Sequence, residues 1–221
     1  MHIIGFGDSI TSGVYLAEED TYLYKLKQQF GGTTTNAGVP GNNTNQGLAR
    51  IQTDVISHQP DITIIAFGMN DHYATAVDTH LVDPSTYKSN LTEMVNQLRA
   101  HACTPILCTI SPIIVGDASQ YYYNRHPEAW YQHPLGAQAW IDAYSGIVRE
   151  VAAELNVVLA DIAEHFANAL ADGETLTGPQ GLIRNLDNAG TDDGVHPTAK
   201  GNDLYAECIA VQINQILADK C

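Results

Sequence analysis

Positive charge is what this chain lacks most. Ten Lys and Arg stand against 25 Asp and Glu in 221 residues, a formal net charge of −15. Such a chain repels phosphate backbones and anionic lipid surfaces, which argues against nucleic acid as a partner. Long apolar runs are missing too. None approaches the roughly 18–20 residues of a bilayer-spanning helix, which argues against stable membrane insertion. The start, "MHIIGFGDSI", has neither the charged n-region nor the long apolar h-region of a secretory signal. That reads as a cytoplasmic protein unless a leader has been removed. The four cysteines, Cys103, Cys108, Cys208 and Cys221, form no CxxC pair and have no histidine at zinc-ligand spacing. They read as free thiols of a reducing compartment, with a Cys103–Cys108 bridge as the minor alternative.

Nucleotide signatures are also absent. "GFGDSI" is GxGxxI, with Ile10 where a dinucleotide fingerprint needs its third glycine, and Asn36 sits where that fold wants an acid. No GK[ST] follows a glycine loop, so there is no P-loop. The nucleophile elbow GxSxG fails because "GDSIT" carries Thr11 in place of its last glycine. No cofactor is implied.

What the chain does have is a regular alternation of strand and helix patterns. Strands are predicted at 2–7, 33–38, 61–68, 105–110 and 156–161, and helices at 21–30, 46–56, 84–101, 138–154 and 198–218. Alternating β and α segments specify a parallel sheet with right-handed crossovers and helices on both faces. The expectation is one α/β domain over 1–221, flavodoxin-like, with a five-stranded parallel sheet. Ligands of such folds sit beyond the carboxyl ends of the strands, which directs attention to Gly7–Asp8–Ser9, Gly38–Gly41, Gly68–Asp71 and Ser111–Pro112.

Ser9 follows the first strand almost at the N-terminus. A hydroxyl there points out of the sheet, but it is a poor nucleophile until a neighbour takes its proton. Of nine histidines only His196, in "DDGVHPTAKG", has a carboxylate three residues before it. Asp193 at that spacing reaches the imidazole Nδ1–H and leaves Nε2 for a serine; Asp192 is the neighbouring alternative. The segment reads equally as a turn capping the last helix. Oxyanion donors are offered by Gly41 in "NAGVPGNNT" and by the Asn70 amide in "FGMND". Taken singly, these two are ordinary turn residues. All four elements fall at strand carboxyl ends.

This ordered set, "GDSIT", "NAGVPG", "GMND" and "DGVHPTAKG", resembles the SGNH (GDSL) hydrolases over residues 5–201. The resemblance implies a three-layer α/β/α fold, with Ser9 as nucleophile, His196 as base and Asp193 as its orienter. It implies an oxyanion hole of the Ser9 and Gly41 N–H groups and the Asn70 side chain, and it implies no metal. Family members are esterases, lipases, thioesterases and carbohydrate acetylesterases. The expected reaction is hydrolysis of a carboxylic ester, short-acyl esters of carbohydrate or small alcohols being favoured because no membrane-binding apolar helix is visible. Longer-chain lipase or thioesterase activity is the alternative, as is a non-hydrolytic acyltransferase or carbohydrate-binding protein.

One stretch, 111–140, is longer than a compact loop of this fold and carries Tyr121, Tyr122, Tyr123, Trp130, Tyr131 and Trp140. Three readings compete: a wall or lid for a sugar ring or apolar alcohol, a contact between copies of the chain in a homo-oligomer, or local core. The first makes Tyr123, Trp130 and Tyr131 substrate contacts. His72, after Asn70–Asp71, is expected either to line the same pocket or to face solvent. His126 and His133 lack a third ligand, so no metal is expected.

Overall fold

A computed structural model describes residues 1–115, 128–131 and 136–219. Five parallel strands form the central sheet: β1 (His2–Gly7), β2 (Thr33–Gly38), β3 (Ile62–Ala66), β6 (Thr104–Cys108) and β7 (Val158–Ala160). Their spatial order is β2-β1-β3-β6-β7, the doubly wound order in which the chain reverses direction across the sheet beside β1. The register places Ile3 beside both Thr34 and Ile62, and Ile64 beside Ile106. The central strands β1, β3 and β6 are apolar on both faces, with Ile3, Ile4, Phe6, Ile64 and Ile106 fully buried, as a parallel sheet covered on both sides requires, while the edge strand β2 is polar and partly exposed.

The covering helices are α2 (Tyr22–Phe30), α3 (Thr44–Asp54), α4 (Pro84–Ala100), α5 (Gly136–Leu155), α6 (Ile162–Ala171) and α8 (Ala199–Ala218). Their starts follow local chemistry. Asn43 and Gln46 close a capping box before α3, which therefore begins two residues earlier than its apolar periodicity suggests. Asp83 caps α4, with Pro84 in the first turn. Asp161 ends the strand expected at 156–161 because its side chain accepts from the Glu164 N–H and caps α6.

Besides very short helices, sequence periodicity missed two features. One is α6 itself. The other is a small antiparallel hairpin, β4 (Ala74–Ala76) and β5 (Thr79–His80), inserted after β3. Two short helices, α1 (Ser9–Ser12) and α7 (Leu186–Ala189), flank the region where the strand-end loops meet.

The hairpin explains part of the aromatic stretch. His80 stacks on Trp140 at 3.7 Å between ring centroids, and Trp140 meets Tyr131 edge-on at 4.8 Å. The Asp78 N–H donates to the Trp130 carbonyl at 2.7 Å. Tyr131 is 1% exposed and Trp140 9%. Tyr131 and Trp140 are therefore core, packed against each other and against the His80 ring of the hairpin.

Candidate active site

The strand ends gather as the fold predicts. β1 delivers Asp8 and Ser9, β2 leads into the Gly38–Asn43 turn, and β3 leads into Gly68–Asp71. Asp8 caps α1, its Oδ1 accepting the Ile10 N–H at 2.9 Å, which sets the turn that presents Ser9. Gly38 has to be glycine: a Cβ there would lie 2.3 Å from the Ser12 nitrogen, so β2 and α1 approach this closely only without one. Arg50 of α3 holds the turn from beneath. It donates to the Gly7 carbonyl at 2.9 Å, the Ala37 carbonyl at 2.8 Å and Asn42 Oδ1 at 2.8 Å.

His196 arrives from a loop 187 residues away in sequence, and its Nε2 lies 2.9 Å from Ser9 Oγ. Its Nδ1 is 2.9 Å from both oxygens of Asp193. Asp193 Oδ1 also accepts the backbone N–H groups of Val195 (3.1 Å) and His196 (3.0 Å). Burial by itself would push this carboxyl up. The hydrogen bonds from the His196 ring and from the two backbone N–H groups outweigh it and hold Asp193 below the ordinary carboxylate value. Asp192, the alternative carboxylate, lines the cleft without touching the imidazole.

Ser9, Gly41, Asn70, Tyr73, Asp193 and His196 line one cleft of about 670 Å³. Gly41 has φ +79, a conformation open to glycine, and a Cβ there would meet nothing within 4 Å. Among the described residues, neither the Ser9 nor the Gly41 N–H meets a protein acceptor. Asn70 differs. Its amide nitrogen donates to the Asn42 carbonyl at 3.0 Å and to Asp8 Oδ2 at 3.3 Å, so it ties two strand-end loops together beside the cleft.

Beneath the cleft lie two buried acids. Burial pushes Asp8 up to about 7, partly offset by its hydrogen bond from Ile10 and reinforced by the nearby Asp71. Burial likewise raises Asp71 to about 6, against the opposing hydrogen bonds from the Thr44 hydroxyl and N–H. Asp8 thus braces the turn through its hydrogen bond from Ile10, and its raised value brings it into the neutral range.

The remaining candidates fall elsewhere. His72 neither lines the cleft nor faces solvent. It is fully buried, its Nδ1 3.2 Å from the Gly68 carbonyl and its ring stacked toward Tyr131 at 6.3 Å. The next residue, Tyr73, takes the position on the cleft. Tyr131 is core, and Trp130 packs half-buried against that core away from the cleft lining. Tyr123 lies outside the described residues, as do His126 and His133. Among the described residues no group of three metal-ligating side chains converges.

Besides Tyr73, two cleft residues beside His196 escaped sequence reasoning. Tyr15 and Arg184 line the wall beside His196, with the Arg184 guanidinium 4.5 Å above the Tyr15 ring. Arg184 is one of five arginines and stands in no motif that would have singled it out. Nor does Tyr15.

Comparison with known proteins agrees with this geometry. The model of the GDSL-like lipase/acylhydrolase family matches residues 6–204. The chain belongs to that family. This GDSL protein is accordingly an SGNH-type ester hydrolase. It is 31% identical over 97% of its length to a Bacillus subtilis protein named uncharacterized lipoprotein YqeF, covering 89% of that protein. An arylesterase of Vibrio mimicus is 21% identical over 96% of this chain and 87% of its own. The solved structure of an acetyl xylan esterase, AlAXEase, superposes with a TM-score of 0.69 at 23% identity, over 96% of this chain and 98% of that one. The lipoprotein name of the Bacillus relative overturns the expectation of a cytoplasmic protein, which rested on the absence of a visible leader. Among the described residues no helix is long and apolar enough to cross a membrane.

Proposed function

We propose that this GDSL hydrolase removes short acyl groups, chiefly acetyl, from carbohydrates or small alcohols through an acyl-enzyme on Ser9. The observation that carries this is the relay of 2.9 Å contacts from Ser9 Oγ through His196 to Asp193, opening on a cleft. His196 Nε2 takes the hydroxyl proton as Oγ attacks the ester carbonyl, and Asp193 fixes the tautomer and faces the imidazolium that forms. The open N–H groups of Ser9 and Gly41 receive the oxyanion, with Asn70 closing the third side. His196 then passes its proton to the departing alcohol. Water repeats the sequence on the acyl-enzyme, releasing the acid and restoring Ser9.

The acetyl preference draws on the likeness to an acetyl xylan esterase and on a cleft walled by Tyr15 and Tyr73, whose ring faces suit a sugar. The lipoprotein relative supports work at a membrane surface.

The test is hydrolysis of p-nitrophenyl esters from acetyl to dodecanoyl, and acetate release from acetylated xylo-oligosaccharides, by the protein and by Ser9→Ala. Activity highest on acetyl and absent in Ser9→Ala is expected. An optimum at long chains would sink the acetyl reading, and an unchanged Ser9→Ala would sink the acyl-enzyme.

A further inference from the structure

We propose that Arg184 is a positioning residue of the Ser9–His196–Asp193 relay, supplying the standing counter-charge to Asp193 and bracing the His196 ring through Tyr15. This rests on the reading of those three residues as a catalytic relay.

The backbone fixes Arg184 opposite the Asp193–His196 turn. Ile183 and Pro197 form an antiparallel bridge. The Arg184 N–H donates to the His196 carbonyl and the Gly194 N–H donates to the Arg184 carbonyl, both at 2.9 Å. The side chain then turns over the same loop. Its Nε sits 3.5 Å from Asp193 Oδ2, with Arg184 19% and Asp193 8% exposed. Oδ1 takes two backbone N–H groups and the imidazole, whereas Oδ2, among the described residues, faces the imidazole and this guanidinium.

The charge logic gives that contact its purpose. His196 acts as a base in its neutral form, so before each turnover it offers Asp193 a hydrogen bond but no charge. A carboxylate this enclosed is costly without a cation nearby. Arg184 is the one permanent cation lining the cleft among the described residues, and the acids around it are Asp192 and Asp193. The charged groups that face the relay are therefore Arg184 on one side, Asp192 on the rim and Asp8 below.

Tyr15 completes the brace. It sits at φ +68, a backbone region that L residues seldom adopt, and it stays 65% exposed. What holds it is Arg184 over its ring at 4.5 Å and His196 against it edge-on at 5.3 Å. One guanidinium thus touches the orienting acid directly and the base through a single aromatic ring.

Steady-state kinetics on p-nitrophenyl acetate would test this with Arg184→Gln, Arg184→Lys, Asp193→Asn and the double variant Arg184→Gln/Asp193→Asn, with Ser9→Ala as control. Arg184→Gln should lower kcat about tenfold, the worth of one partly screened charge contact, with KM within about twofold. Arg184→Lys should recover most of the loss because it keeps the charge. The double variant should be no worse than Asp193→Asn alone, because the acid through which Arg184 acts is gone. If Arg184→Gln does not fold, Arg184→Met keeps the packed stem and answers the same question. Wild-type kcat in Arg184→Gln overturns the proposal, as does a full further loss on the Asp193→Asn background. A loss confined to KM, and to esters carrying a carboxylate, also overturns it and makes Arg184 a substrate contact. An active Ser9→Ala would instead refute the relay itself, whatever Arg184 does.

Discussion

Asp193→Asn is the substitution that most directly interrogates the relay, because it is nearly isosteric and its consequences follow from the hydrogen bonds. Oδ1 now accepts three N–H groups: Val195 N, His196 N and His196 Nδ1. An asparagine can keep its carbonyl oxygen toward the two backbone donors, which preserves the turn. Its NH2, in the place of Oδ2, then faces Nδ1 at 2.9 Å and favours the tautomer in which that nitrogen accepts. The imidazole proton moves to Nε2, the nitrogen 2.9 Å from Ser9 Oγ. A protonated Nε2 cannot take the serine proton. Flipping the amide rescues the tautomer but sets an NH2 against two backbone N–H groups and leaves them unsatisfied, at about 1–3 kcal/mol for such a group. Either way the productive state is scarce. The same exchange in a serine triad costs about 10⁴ in kcat, or roughly 5 kcal/mol at 1.36 kcal/mol per tenfold. Activity on p-nitrophenyl acetate should therefore fall by about three to four orders of magnitude, while the melting temperature moves by only a few degrees. The assay is kcat/KM beside thermal unfolding of the same preparation. A variant keeping a tenth of the wild-type rate would refute the tautomer argument and shift the orienting role to backbone or Asp192.

Two further perturbations separate the parts of the site. Gly41→Ala adds a methyl into open space but at φ +79; the strain of roughly 1–3 kcal/mol should be relieved by swinging the peptide, lowering kcat about tenfold or more with KM little changed, and an unaffected kcat would remove the Gly41 N–H from the oxyanion hole. Asp8 and Asp71, raised to about 7 and about 6 by burial, retain protons that the unfolded chain releases near 4. The folded state then binds more protons than the unfolded one between about pH 4 and 7, so these two groups make stability decline as pH rises through that window. Melting temperatures of the wild type should fall from pH 5 to pH 8, and Asp8→Asn should flatten part of that slope; a parallel slope in the variant would mean that Asp8 does not titrate there.

How much of this could be read from the residues depends on whether the signal was local. β1, β2 and β3 were legible because each is a short run bounded by glycine or aspartate; strand ends located Ser9, Gly41 and Asn70, the Asp-x-x-His spacing paired Asp193 with His196, and the fold brings all five to one cleft. His72 misled because its neighbours are functional in type, yet a single position decides which residue turns inward, and Tyr73 took the cleft. Tyr131 misled for a related reason: aromatic clustering says that rings will be covered, not by what, and the β4–β5 hairpin that covers them has no periodicity long enough to detect. Arg184 and Tyr15 could not have been assigned at all. Their meeting depends on the Ile183–Pro197 bridge and on a left-handed tyrosine, both set by tertiary packing rather than by local pattern.

The buried polar residues beneath the cleft explain why the strand-end loops can hold a fixed geometry. Asp8 belongs to the end of β1, Asn42 and Thr44 to the segment after β2, Asn70 and Asp71 to that after β3, and Asn90 to α4. Asn70 bridges Asn42 and Asp8; Asp71 takes both donors of Thr44; Asn90 donates to the Thr44 hydroxyl at 3.0 Å. Each of these groups alone would cost free energy to bury. Joined, they make the placement of one loop conditional on the other two, since shifting any loop strands several buried donors at once. Oxyanion donors are useful only if they do not reorganise as charge develops. The raised Asp8 carboxyl is the cost of that arrangement: an acid kept out of water so that the turn bearing Ser9 and the Asn70 side chain beside the cleft cannot move apart.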